Sequence, residues 1–269
     1  MLGAVVYRLR ALSSDSIPVA HGHLMHGVCF HLLQDFSPIL SQSLHAMDFK
    51  PFTVSMLSMP SKLRPKNSRW IVEEGAILRW RVTALQDEVL RAFLMVPKGF
   101  VLHVGNLAMS VEEIVADAEL EPRTGVMHEE ELINICWQTG EIKTLQMEFL
   151  SVTSFRSGNK DFIWPAPDLV FGSLADKWEA IHPNGTTFAK EIRDMAGGIS
   201  LENWSGHSQR IYSQRNRGIQ GFVGTFKFGL ESLSMDWRRY FLLLASFGEF
   251  SGIGRLTAQG FGQTRASWG

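Results

Sequence analysis

An α+β protein of two successive domains, each running strand, helix, strand, strand, helix, strand, is what the sequence predicts. Three observations carry this. The chain has 269 residues, about two domains of ordinary size. Apolar patterns of period two and period 3.6 follow one another in that order, cleanly in the first half and more loosely in the second. An acidic stretch, residues 111–150, holds 10 acidic against 2 basic residues and separates two more basic parts, which puts a boundary near residues 120–140. With 45% hydrophobic and 20% charged residues, the chain has core enough for a globular protein and too little charge for a disordered one.

In the first half, Val5, Tyr7 and Leu9 alternate with Val6, Arg8 and Arg10, so residues 3–12 read as a strand. Leu24, Met25, Val28, Cys29, Leu32, Leu33 and Phe36 mark one face of a helix over 22–36, which leaves His23, His26, Phe30 and Gln34 opposite. Ser37-Pro38 breaks it and starts a short second helix. Residues 52–59 read as a strand, and Leu78, Trp80 and Val82 alternate with Arg79 and Arg81 in another. Thr83 to Gln86 fits a capping box for a helix through Leu94. Pro97-Lys98-Gly99 ends that helix, and residues 100–104 return as a strand.

In the second half, residues 142–152 read as a strand and 169–181 as a helix. Residues 209–213 and 221–228 read as strands around the turn that holds Arg215, Asn216, Arg217 and Gly218. A helix over 237–247 precedes a glycine-rich loop and a last strand near Gln263. The repeated order is that of two tandem ferredoxin-like (RRM-like) βαββαβ domains. The expected domains are 1–125 and 140–269.

The formal net charge of -1 excludes a histone-like or tail-driven electrostatic binder but leaves room for a local basic groove. Residues 1–110 carry 11 basic against 7 acidic groups, and residues 207–269 carry 8 against 3. Arg210, Arg215, Arg217, Arg238 and Arg239 are candidate phosphate contacts, and Tyr212 or His207 a candidate stacking ring. Cys29 and Cys136 are too few for a disulfide framework or a zinc ribbon, which makes a reducing, cytoplasmic setting the default. The longest apolar run, near residues 240–247, is shorter than the ~18 residues of a spanning helix, so no membrane partner is expected. Arg8 and Arg10 follow the first apolar stretch, the reverse of a secretory leader.

Residues 252–262 read GIGRLTAQGFG, two Gly-x-Gly pairs around Arg255. Gly252, Gly254, Gly260 and Gly262 permit positive φ and close backbone approach. Successive amides in such a loop can form an anion nest, and Arg255 adds a fork suited to phosphate. A tight corner between helix and strand is the structural alternative. The dinucleotide fingerprint is a poor rival, because it follows an early strand and opens a helix, whereas this loop follows a helix near the C-terminus.

This loop resembles the glycine-rich signature of the CRISPR-associated RAMP superfamily. The stretch LHAMDFKPFTVS, residues 44–55, is similar to a motif of the Cas6 family, endoribonucleases that process CRISPR precursor RNA. Residues 149–178, with Phe155, Arg156, Pro165, Pro167, Leu169, Phe171, Lys177 and Trp178, resemble that family's central segment. The resemblance implies two ferredoxin-like domains, repeat RNA as partner and the glycine loop against its backbone. It implies metal-independent cleavage without a cofactor, retention of the mature crRNA, and other effector-complex subunits as candidate partners. It sets His45 on the family's catalytic histidine and Lys50 on a lysine that assists in some members. Where some members have a first-helix tyrosine, this chain has Phe30, and His26 or His31 is the candidate replacement.

His21, His23, His26 and His31 cluster near the first helix but lack the usual zinc spacing. Metal-free RNA cleavage needs one group to take the 2′-hydroxyl proton and one to give a proton to the 5′-oxygen. Histidine does either near neutral pH, and a lysine or arginine stabilises the charge that develops. On residue pattern alone His45 equally suits a helix C-terminus and Lys50 an open surface. A non-catalytic RAMP-fold subunit that holds crRNA is the rival function.

Overall fold

In the computed structural model, which describes residues 1–157, 160–185, 187–212 and 218–269, β1 (Leu2–Ala11) is buried at almost every position. That fits a central strand, covered on both faces. The chain continues through β2 (Asp15–Pro18), α1 (Gly22–Phe36), α2 (Pro38–Ala46), β3 (Phe52–Val54), β4 (Arg69–Val72) and β5 (Ile77–Ala84). Then follow α3 (Asp87–Leu94), β6 (Val101–Val104), β7 (Leu107–Val115) and β8 (Gly125–Met127). The sheet order is β3-β5-β1-β7-β6, antiparallel throughout, with β8 also pairing β1. Met25, Cys29, Leu32 and Leu33 of α1 and Val89 and Phe93 of α3 join one core with Tyr7, Phe52 and Trp80 of the sheet. The Tyr7 hydroxyl donates to the Phe93 carbonyl at 2.5 Å, which satisfies a phenol buried between strand and helix.

The second ferredoxin-like fold follows α4 (Glu129–Gln138). Its elements are β9 (Thr144–Thr153), a small hairpin of β10 (Phe155–Ser157) and β11 (Lys160–Phe162), α5 (Pro167–Ile181) and α6 (Ala189–Ala196). After them come β12 (Ser200–Tyr212), β13 (Gly218–Gly229), α7 (Met235–Ser251) and β14 (Thr264–Trp268). The sheet order is β12-β13-β9-β14. Phe171 of α5 lies 5.7 Å from Phe228 on β13 and 4.8 Å from Phe241 on α7, edge to face, so helices and sheet share one aromatic core. The chain divides into two compact units: Met1–Val126 takes in Ala258–Gly260, and the other holds Met127–Ile211, Gly218–Thr257 and Phe261–Gly269. Each unit buries one cysteine, Cys29 or Cys136, and burial pushes both thiol pKa values up, that of Cys136 to about 11.

Several elements differ from expectation. The fourth strand of the first fold is β7, and residues 101–104 are its hairpin partner at the sheet edge. The acidic stretch is no linker: Glu129, Glu130 and Glu131 form the first turn of α4, where the positive end of the helix dipole favours them. There is no capping box at Thr83. Its buried hydroxyl lies 2.6 Å from that of Thr53 across the sheet, and α3 starts after Gln86. The third strand spans three residues rather than eight, and Ser58 rejoins Arg79 by a single bridge. Arg8 and Arg10 of β1 are held in ion pairs. Arg8 donates to Glu113 at 2.8 Å, Arg10 to Glu112 at 3.0 Å, and Glu121 lies 3.4 Å from Arg8 and 3.5 Å from Arg79. Among the described residues, no helix is long and apolar enough to cross a membrane.

Candidate active site and glycine loop

Phe30 sits in the core rather than on the polar face of α1, 6% exposed, because Phe52 packs against it at 5.6 Å. Two histidine rings meet Phe30 edge to face. His26, one turn earlier on α1, is centred 4.9 Å away and His45, at the end of α2, 4.1 Å away. These distances bound the separation of the two imidazoles at about 9 Å. Ser37-Pro38 reverses the chain between α1 and α2 and so delivers His45 to Phe30. His45 is exposed on the rim of a groove of about 570 Å³ lined by Gln34, Ile39, Gln42 and Phe30.

Lys50 is brought to the same cluster, 6.0 Å from the Phe30 centroid, but its ammonium is engaged. It donates to the carbonyls of Leu44 at 2.8 Å, His45 at 3.2 Å and Met47. Three acceptors at the C-terminus of α2 thus share one cation, the arrangement the helix dipole favours. Lys50 therefore fixes the backbone that carries His45.

The other first-helix histidines separate clearly. His21 is buried with its pKa lowered, chiefly by desolvation. Its Nδ1 bonds the carbonyls of Pro18 and Val19 at 2.9 and 3.0 Å, and its Nε2 accepts from the Leu57 amide at 2.7 Å. That is a structural histidine. His23 and His31 are exposed. Among the described residues no three His, Cys, Asp or Glu side chains are grouped to hold a metal ion.

His26 is half-buried, and its Nδ1 lies 2.9 Å from the Ala258 carbonyl oxygen. Ala258 belongs to the glycine loop, and Ala258–Gly260 packs within the first unit. A Cβ at Gly22, which opens α1, would lie 1.8 Å from the Gln259 carbonyl oxygen. Glycine there lets residues 258–260 approach α1 closely.

The rest of the loop spends its amides internally. Gly252 N–H donates to Gly248, Ile253 to Gly262, Arg255 to Ser154 and Gly262 to Val152, all main-chain carbonyls, and Gly254 donates to the Ser173 hydroxyl at 3.0 Å. These amides do not form the expected anion nest. Gly252, Gly254, Gly260 and Gly262 have φ of 62, 74, 88 and 66°. The corner itself requires glycine. Arg255 projects to an ion pair with Asp161 beside a pocket of about 280 Å³ lined in part by Arg156, Ser173, Lys177 and Arg193.

Lys177 was legible only as part of a motif. It is buried, and its ammonium donates to the carbonyls of Gly252 at 2.8 Å and Ser251 at 3.3 Å, at the hinge of the loop. Desolvation lowers its pKa to about 7, with Asp176 opposing. The unfolded chain holds that proton to about pH 10.4. The stability Lys177 permits is therefore full above that value, falls with pH across the window, and is lost below about pH 7. Thermal unfolding between pH 7 and 10 is expected to show a rising midpoint in the parent and a flatter one in Lys177→Met. Parallel profiles would contradict the assignment.

The other basic candidates divide. Arg238 donates to the carbonyls of Leu233, Ile142 and Glu231 and so anchors the start of α7. Arg239 pairs with Asp236 at 3.7 Å, and Arg210 donates to Gln220 at 2.7 Å. Tyr212 and His207 are exposed on β12. Arg215 and Arg217 lie outside the described residues.

Two antiparallel ferredoxin-like sheets in tandem, with a glycine corner before the last strand, make a fold shared with RAMP-type proteins. A structure described as a RAMP protein binding different RNA substrates shares the fold at a TM-score of 0.64 and 14% identity, over 98% of this chain and 99% of that one. Residues 147–264 match the family described as CRISPR-associated endoribonuclease Cas6. The Mycobacterium tuberculosis protein of that description is 25% identical over 250 residues, 91% of this chain and 71% of the relative. A Cas6 product complex superposes at a TM-score of 0.78 with 27% identity, over 99% of this chain and all of that one. Thermus thermophilus Cas6 does so at 0.74 with 26% identity, over 99% and 98%. The chain is thus similar to Cas6 proteins, in its second half by the family match and over most of its length by sequence and fold.

Proposed function

We propose that this protein cleaves CRISPR repeat RNA without a metal ion, by attack of a 2′-hydroxyl on the adjacent phosphate, and keeps the mature crRNA. The observation that carries the reading is the His26–Phe30–His45 cluster with Lys50 behind it, on the rim of an open groove. His45 performs one of the two proton transfers. Lys50 fixes its backbone and adds positive charge near the phosphate. Arg255 contacts RNA by exchanging Asp161 for a phosphate, and Gly252, Gly254, Gly260 and Gly262 shape the loop that presents it. Arg215 and Arg217 are proposed as further phosphate contacts from sequence alone.

The test is incubation with the host's repeat RNA in EDTA. Products ending in a 2′,3′-cyclic phosphate (or its opened form) and a 5′-hydroxyl are expected. A 2′-deoxy substitution at the scissile nucleotide blocks cleavage, and the 5′ product co-elutes with the protein. Activity lost in EDTA and restored by magnesium overturns the metal-free reading. Tight binding of the cognate repeat without cleavage favours a non-catalytic RNA-holding subunit.

A further inference from the structure

We propose that the ribbon of β2 and β4 is a further RNA-binding element, whose basic tip grips the phosphate backbone of an RNA duplex without reading its sequence. The inference takes RNA as the ligand from the reading just given and assigns it a site that the cleavage cluster does not include.

It begins with where the charge of the first unit lies. Residues 1–110 carry 11 basic against 7 acidic groups, an excess of four. Lys62, Arg64, Lys66 and Arg69 stand within eight residues with no acid among them. All four are exposed. Arg8, Arg10 and Arg79 of the same unit each face a glutamate, whereas among the described residues no carboxylate forms an ion pair with any of these four. Arg64 Nη1 donates to the carbonyls of Ser61 at 2.6 Å and Leu63 at 2.9 Å, and Arg69 Nε donates to the Ser16 hydroxyl at 2.8 Å. These neutral acceptors orient the guanidiniums and leave their charge in place.

The ribbon keeps its charges apart along its length. Across its two strands Asp15 pairs with Val72 and Pro18 with Arg69. Lys66 and Arg69 close the far end by exchanging backbone hydrogen bonds at 2.8 and 2.9 Å around Asn67 and Ser68, whose φ of 49 and 58° make a tight two-residue turn. Asp15, Glu73 and Glu74 therefore sit at one end. Lys66 and Arg69 sit at the other, ~10 Å away at ~3.3 Å per residue, with Lys62 and Arg64 on the loop that leads into the turn. That is about a Debye length at physiological salt, so the acids cancel little of the tip's field. Ile17 and Val72 are buried in the core of the unit and Trp70 packs against it, which anchors the ribbon and leaves its tip clear.

The make-up of the tip then selects the ligand. Residues 60–69 hold no aromatic ring. Single-stranded RNA is gripped in large part by rings that stack on its splayed bases. A duplex hides its bases and presents phosphates, for which unpaired lysines and arginines suffice.

The experiment is equilibrium binding by the full chain of an RNA duplex of about 16 base pairs and unrelated sequence, and of an oligouridine of the same length, between ~50 and ~200 mM salt. The parent is compared with Lys62→Gln/Arg64→Gln/Lys66→Gln, three exposed changes that leave β4 intact, and with Lys66→Gln alone. Each duplex phosphate contact contributes about 0.9 to the slope of log affinity against log salt. On the duplex that slope is expected to become shallower by about 2–3 in the triple variant and by about 1 in Lys66→Gln. Oligouridine binding and the melting temperature are expected to match the parent's. Single-turnover cleavage of repeat RNA at saturating enzyme is expected at the parental rate, because the ribbon binds and does no chemistry. A parental duplex slope in the triple variant overturns the proposal and turns the ribbon toward an acidic protein partner. Equal losses on duplex and oligouridine overturn the choice of a duplex. A parent that does not cleave repeat RNA overturns the reading of the cluster, and the duplex slopes still decide the ribbon.

Discussion

His45→Ala is expected to lower single-turnover cleavage by ~10²–10⁴-fold while leaving repeat affinity nearly unchanged. The side chain is exposed, at the end of α2, and its ring meets Phe30 edge to face, so its removal opens no buried cavity. Affinity for RNA comes from phosphate contacts spread over many residues. Lys50→Ala is expected to slow cleavage less but to act through the same histidine. Without the ammonium, the carbonyls of Leu44, His45 and Met47 lose a shared donor and the end of α2 loosens. A filter-binding isotherm paired with enzyme-excess kinetics separates the two effects. Parental rates in His45→Ala would move the chemistry off this cluster.

Gly254→Ala is expected to destabilise the second unit by about 2 kcal/mol or more and to weaken RNA binding and cleavage together. The backbone there has φ of 74°, and an added Cβ would lie 2.4 Å from the Ser154 carbonyl oxygen. That carbonyl already accepts from the Arg255 amide, so it cannot yield without breaking the corner. Arg255→Ala should behave differently. It melts close to the parent, because the pair with Asp161 is partly exposed. It binds RNA more weakly, with a salt dependence shallower by about one counterion. Calorimetry and salt-dependent binding on both variants test the contrast. Parental stability in Gly254→Ala, or parental binding by Arg255→Ala at every salt concentration, would refute the corresponding half.

The central strands and both core helices were legible because their apolar residues keep one period along the whole element. Val5, Tyr7 and Leu9 face the core, and Phe171 and Phe241 mark the buried sides of α5 and α7. Elements whose polar residues are satisfied locally were not. In β7, Glu112 and Glu113 pair with Arg10 and Arg8 next to a register shift, and the acids hid the alternation of Leu107, Met109 and Val111. In β12 most side chains are exposed, so it is defined by its backbone pairing and carries almost no apolar pattern. Of the site, His45 and the glycine loop were visible as motifs. The place of Phe30 was misread, because α1 buries more than one stripe. The Lys50 cap and the His26–Ala258 bond join residues through space, and the latter spans 232 positions that no local pattern connects.

The two cysteines give each unit its own chemical clock. A thiol reagent attacks the thiolate, and Cys29 and Cys136 are both buried with pKa values held up. Neither thiol is readily labelled until the fold around it opens. Cys29 then reports opening of the unit that carries His26 and His45, and Cys136 that of the unit that carries Arg255. Because the chain has just these two, pulsed alkylation followed by peptide mass spectrometry would read two separate opening equilibria from the unmodified protein, with and without RNA bound.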